Sequence, residues 1–125
     1  MKKLILFLSI LSLTVSCVGD DSDRPGINCT SEARVALVVT IKDAVTGTLI
    51  TDGITVTAID GDFSEVLTNE FWETGEFSGV FERHGNYTIT VTGAGYQNYT
   101  SNGITVGSDA CHVITETLTI NLQPE

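Results

Sequence analysis

The side chains of this chain that could do chemistry begin with three cysteines, Cys17, Cys29 and Cys111, and two histidines, His84 and His112. Cys111 and His112 are adjacent, and with Cys29 and His84 they are the residue types that hold zinc. Zinc sites are built mainly from close pairs such as C-x-x-C. Neighbours on a strand point to opposite faces, so Cys111 and His112 would not converge on one ion. Ser108-Asp109 with His112 or His84 makes a serine, histidine and acid set on paper. No G-x-S-x-G elbow is present to expose the hydroxyl as a nucleophile. These residues therefore predict no catalytic centre, no cofactor and no metal.

A second cluster is Glu70-Phe71-Trp72-Glu73-Thr74-Gly75-Glu76-Phe77, with three rings and three carboxylates in eight positions. An exposed Trp72 would stack on a sugar face while Glu70 or Glu73 accepts hydrogen bonds from its hydroxyls. The same acids, with Asp60 and Asp62, are the oxygen ligands Ca2+ prefers. No D-x-D-x-D-G loop organises them, so sugar ranks ahead of calcium. The alternative is that Phe71, Trp72 or Phe77 fills the core and the glutamates stay in water. Exposure of Trp72 beside the carboxylates separates the two.

The N-terminus sets the address of whatever follows. Met1-Lys2-Lys3 leads into LILFLSILSLTV, a short basic region before an apolar run too short for a comfortable membrane span. That is the build of a secretory signal peptide. The segment Thr14-Val15-Ser16-Cys17 resembles the lipobox cut by the bacterial lipoprotein peptidase, with Thr14 where that motif usually has Leu. The resemblance implies loss of residues 1–16, a diacylglycerol thioether on Cys17 and an acylated new N-terminus. Buried acyl chains contribute roughly 0.8 kcal/mol per CH2, which holds such a protein on a leaflet. Ordinary secretion with cleavage nearby is the rival reading.

Residues 18–28, VGDDSDRPGIN, have no apolar period and read as an acidic flexible tether. Asp20-Asp21 is similar to the acidic signal that sends some Gram-negative lipoproteins to the outer face of the cell. The chain carries six basic and sixteen acidic side chains, a net charge of −10. Losing Lys2 and Lys3 with the signal takes −10 to −12. Nucleic acid, which is bound by displacing counterions with Lys and Arg, is excluded as a partner.

From Cys29 onward the pattern is short β-rich runs between turns. Val35, Leu37, Val39 and Ile41 alternate as one buried face of a strand, with Ala36 and Val38 a milder opposite face. Asp43-Ala44-Val45-Thr46-Gly47 is a turn. Ile54–Ala58 and Phe63–Leu67 flank Asp60-Gly61, a hairpin dipeptide. Gly79–Glu82 is a short strand candidate, His84-Gly85-Asn86 a turn, and Tyr87, Ile89 and Val91 the cleanest alternation in the chain. Further strands are expected near Tyr96–Thr100, at Ile104–Val106 and from about His112 to Leu122. In the last, Ile114, Leu118, Ile120 and Leu122 share one parity and Glu116 interrupts it, which predicts a bulge or a solvent-facing stretch. About seven strands at this spacing, with no helix, predict an all-β sandwich.

The turn Asp43-Ala44-Val45-Thr46-Gly47 and the run from Tyr87-Thr88-Ile89-Thr90-Val91 to Ala94-Gly95-Tyr96 resemble the carboxypeptidase regulatory-like domain. That family shows a D-x-x-T-G turn after the first strand and a Y-x-x-x-V strand running into a G-Y corner. The resemblance spans residues 33–122 and implies a Greek-key, transthyretin-like β-sandwich that is not itself catalytic. The transthyretin-like hydrolases of ureide metabolism share this fold, but their His- and Arg-bearing strand motifs are missing here.

With Cys17 assigned to lipid, Cys29 and Cys111 remain as an even pair in an oxidising compartment. Bridging them would close a loop of roughly 83 residues, which the chain-entropy model values at about 4.5 kcal/mol. The expectation is a signal peptide (1–16), a tether (17–28) and one sandwich (29–125) on the bacterial outer membrane. Its role would be a structural or binding module with a lipid anchor in the membrane and a glycan or protein ligand.

Overall fold

The computed structural model describes residues 28–70 and 74–125. Cys17, the signal segment and nearly all of the tether lie outside the described residues, as do Phe71, Trp72 and Glu73. No helix occurs among the described residues. They form eight strands: β1 (Val35–Asp43), β2 (Ile54–Asp60), β3 (Phe63–Val66), β4 (Glu76–Phe81), β5 (Gly85–Gly93), β6 (Tyr99–Thr100), β7 (Ile104–Val106) and β8 (Glu116–Leu122). One sheet has the order β4-β1-β8 and the other β3-β2-β5-β6, with β7 also paired to β5. The two make a β-sandwich.

Alternation decides which sheet face meets the core. Leu37, Val39 and Ile41 of β1, Val56 and Ala58 of β2, and Tyr87, Ile89 and Val91 of β5 are all fully buried. Their registers put like beside like, Val56 against Val91 and Ala58 against Ile89, so each pair presents one continuous apolar patch. Ile41 stands beside Ile120 of β8, and Val39 beside Phe77 of β4. Ala36 is also fully buried, although its parity is opposite to that of Leu37. The sheet's outer face is thus less open at this end of β1 than alternation alone predicts.

The first and last strands are parallel neighbours, from Leu37 beside Glu116 to Asp43 beside Leu122. A parallel pair needs a long crossover, and here the rest of the sandwich supplies it. Beyond β8 the chain stays fixed: Gln97 N–H donates to Gln123 O at 2.8 Å and Glu125 N–H to Gly95 O at 3.0 Å.

Several boundaries differ from the sequence expectation. The β2–β3 hairpin turns on Gly61 and Asp62, since Asp60 pairs with Phe63. Gly61 alone is at positive φ, +56°, which fits a turn with glycine at its first central position. Strand β4 starts at Glu76 rather than Gly79 because Phe77 turns into the core. The run Tyr96–Thr100 shortens to the two residues of β6. The last strand begins at Glu116, not His112. Val113 is buried while Ile114 is 52% exposed, so the parity that continues through Ile120 does not reach back past Glu116.

Candidate functional site

The Cys29–Cys111 disulfide forms, with Cα atoms 5.2 Å apart. It joins the segment before β1 to the turn that precedes β8. That turn is built by Asp109, whose Oδ1 accepts from the N–H groups of Cys111 and His112, both at 2.8 Å. These two bonds, His112 first, hold the Asp109 carboxyl below its ordinary value against the opposing effect of burial. Asp109 N–H in turn donates to His112 O at 2.9 Å. These bonds fix the main chain at Cys111 and His112.

His112 is only 9% exposed, and both ring nitrogens have partners. Nδ1 lies 2.6 Å from Glu82 Oε1, and Nε2 lies 3.0 Å from Thr30 Oγ1. Glu82 also accepts from Arg34 N–H at 2.8 Å and Val113 N–H at 3.1 Å. The Arg34 N–H bond comes first among the causes that lower the Glu82 pKa, with the His112 hydrogen bond and charge adding to it against desolvation. An ionised carboxylate only accepts, so Nδ1 is the donor of its pair. In the neutral ring that leaves Nε2 to accept the proton of the Thr30 hydroxyl. The result is a carboxylate–imidazole–hydroxyl relay.

The backbone around Glu82 is unusual. Val80 has φ +60° and Glu82 φ +51°, on either side of the 62% exposed Phe81. A β-branched residue in the left-handed region costs about 1–3 kcal/mol and persists only where its surroundings hold it. Here Val80 N–H donates to Glu65 Oε2, and Glu82 is held by three donors. The distortion turns Phe81 outward and Glu82 back toward the imidazole.

The relay opens onto a shallow cleft of about 370 Å³, bordered by Thr30, Arg34, Asp109, His112 and the disulfide. Thr30 and Glu82 are exposed residues and His112 is nearly covered; of the three, Thr30 and His112 line the cleft. The acid and hydroxyl at the ring are not the Asp109 and Ser108 that make a set with His112 only on paper: Asp109 binds main-chain N–H groups, while Glu82 and Thr30 reach the ring. One signal for Thr30 was available. It follows Cys29 as His112 follows Cys111, so pairing the cysteines brings their neighbours together. Glu82 had no comparable signal, being 30 residues from His112.

The other expected site residues form no metal-holding group among those described. Phe77 is in the core, and Glu70 is exposed at the edge of the undescribed residues 71–73, which include Trp72 and Glu73. Asp60 pairs with Arg83 Nη1 at 2.9 Å, and the same nitrogen reaches Tyr87 Oη at 2.9 Å. That guanidinium lies 4.0 Å over the Phe63 ring, so Asp60 faces a cation already. His84 is exposed. Among the described residues no group of three or more His, Cys, Asp or Glu side chains is placed to hold a metal ion.

The D-x-x-T-G turn and the G-Y corner meet. Asp43 Oδ1 accepts from Val45 N–H at 2.8 Å and Thr46 N–H at 2.9 Å, and Gly47, at φ +72°, closes the turn onto Asp43 O. The other carboxylate oxygen takes the Tyr96 hydroxyl. In the comparisons with known proteins, no family model matches the chain, and no curated protein matches it either.

Proposed function

We propose that this chain is a lipid-anchored module of the bacterial envelope, with Cys17 acylated, an acidic tether, and a sandwich of the carboxypeptidase regulatory-like, Greek-key kind. It acts as a structural or binding element at the outer membrane and turns over no substrate. The observation that carries this reading is the position of the disulfide. A tether pulling on the domain acts first at Cys29, and Cys29 is bonded to Cys111 rather than leading directly into β1. Load from a membrane anchor would pass into two places in the sandwich at once, and β1 would be protected from peeling. A disulfide also belongs to an oxidising compartment. The bond between the Asp43 turn and Tyr96 supports the family resemblance, because it gives the two quoted motifs a shared structural task. The alternation of strands between sheets, β1 to β2–β3, back to β4, then β5–β7 and β8, supports the Greek-key part.

The test is protease shaving of intact cells, with metabolic labelling by a palmitate analogue. Labelled protein that disappears on shaving supports outward display. Label that persists in Cys17→Ala overturns the anchor. The alternative reading is a surface adhesin that binds glycan or protein through Glu70, Trp72 and Glu73. Exposure of Glu70 supports it. Glycan-array binding that survives Trp72→Ala would sink that version.

A further inference from the structure

The relay at the disulfide has a chemical consequence that a structural or binding module does not need. A threonine hydroxyl is a weak nucleophile until an adjacent base takes its proton, and the base must in turn be oriented by a third group. All three parts are in place. Thr30 is an exposed residue with its Oγ1 3.0 Å from His112 Nε2, and His112 Nδ1 is 2.6 Å from Glu82 Oε1. The His112 N–H donates to Asp109 Oδ1 and its ring Nδ1 to Glu82 Oε1, so main chain and ring are each held. Arg34 borders the same cleft, its guanidinium tied to Glu32 through Nε–H donating to Oε1 at 2.9 Å.

We propose that Thr30 is an acyl acceptor: its hydroxyl, with His112 as base and Glu82 as positioning residue, captures the acyl group of an ester bound in the cleft. Thr30 Oγ1 bonds to the ester carbonyl carbon as its proton passes to His112 Nε2. The tetrahedral adduct then collapses, the carbon–oxygen bond to the leaving alcohol breaks, and the Nε2 proton goes to the departing oxygen. The products are an acyl ester on Thr30 and a free alcohol, with no change of oxidation state. A one-time capture of this kind is a covalent mode of attachment and sits beside the envelope role without requiring it.

The experiment uses the purified protein with its disulfide intact and p-nitrophenyl acetate as the probe. The expected result is a burst of about one p-nitrophenol per chain, with acetyl mapped to Thr30 by peptide mass spectrometry. Thr30→Val abolishes that adduct and Thr30→Ser restores it, which a merely structural hydroxyl would not do. His112→Gln slows acetylation by roughly 10² or more, the usual contribution of a general base. Glu82→Gln keeps an acceptor for Nδ1 and lowers the rate while leaving the final extent at one per chain. Thermal melting of each variant separates lost chemistry from lost folding. Acetyl found only on lysines or the N-terminus of folded wild type overturns the proposal, as does an undiminished burst in folded Thr30→Val.

Discussion

Tyr96 donates its hydroxyl proton to Asp43 Oδ2 at 2.9 Å, joining residues 53 positions apart in the chain. The contact fastens the corner after β5 to the turn after β1, which belong to opposite sheets. Each group alters the other. The hydrogen bond to Asp43 is the first cause that raises the Tyr96 pKa above its ordinary value, with burial second. For Asp43 the N–H of Thr46 and then that of Val45 lead, Tyr96 adds to them, and together they outweigh burial to hold the carboxyl below 3.8.

Asp43, Glu82 and Asp109 all have folded pKa values below their ordinary ones, 3.8 for the aspartates and 4.5 for the glutamate. The unfolded chain therefore binds protons more readily than the native state in acid. Stability from these groups is complete above their unfolded pKa values and is lost as pH falls through the folded ones. Urea unfolding should show stability insensitive to these carboxylates near neutral pH and falling steadily below about pH 5. Asp43→Asn should be less stable at neutral pH and show a shallower acid limb. An acid limb unchanged by that substitution would mean the Asp43 charge is not held by the turn.

Reduction of the disulfide, or Cys29→Ser with Cys111→Ser, should cost about 2–5 kcal/mol in urea unfolding, because the unfolded chain regains the entropy of a long loop. Non-reducing mass spectrometry of native protein should find neither Cys29 nor Cys111 alkylatable. Two reactive thiols would contradict the bond.

Ile120 and Ile114 share parity but not surroundings, Ile120 being buried and Ile114 half exposed. Ile120→Ala should destabilise by about 2–5 kcal/mol through lost burial and the cavity left behind. Ile114→Ala should stay within about 0.5 kcal/mol. Equal effects in chemical denaturation would return β8 to a continuous strand from His112.

A methyl group at Gly93 would stand 2.6 Å from Ile54 Cγ2 and 2.8 Å from Gly53 O. The second neighbour is main chain next to the Ile54–Gly93 pair and cannot swing aside as a side chain can. Gly93→Ala should cost about 1–3 kcal/mol as overpacking. Gly103→Ala, with open space around it, should leave the melting temperature nearly unchanged.

What the chain reveals by itself about this protein is what depends on near neighbours. Alternation over Val35–Ile41 and Tyr87–Val91 locates core faces, because a strand's side-chain period is two whatever it pairs with. Asp43-Ala44-Val45-Thr46-Gly47 declares its turn because the carboxylate caps N–H groups two and three residues on. Cys29 and Cys111 were legible as a pair by elimination once Cys17 was assigned elsewhere, and from them the approach of Thr30 to His112 could have been inferred. Glu82 could not. Its place beside the imidazole depends on the left-handed backbone at Val80 and Glu82 and on β4 lying against β1, neither of which leaves a periodic trace. The parallel pairing of β1 with β8, the burial of Ala36 and the break before Glu116 are likewise decisions of the tertiary structure. They depend on which residues, tens of positions apart, come to share one surface, and local periodicity does not encode that choice.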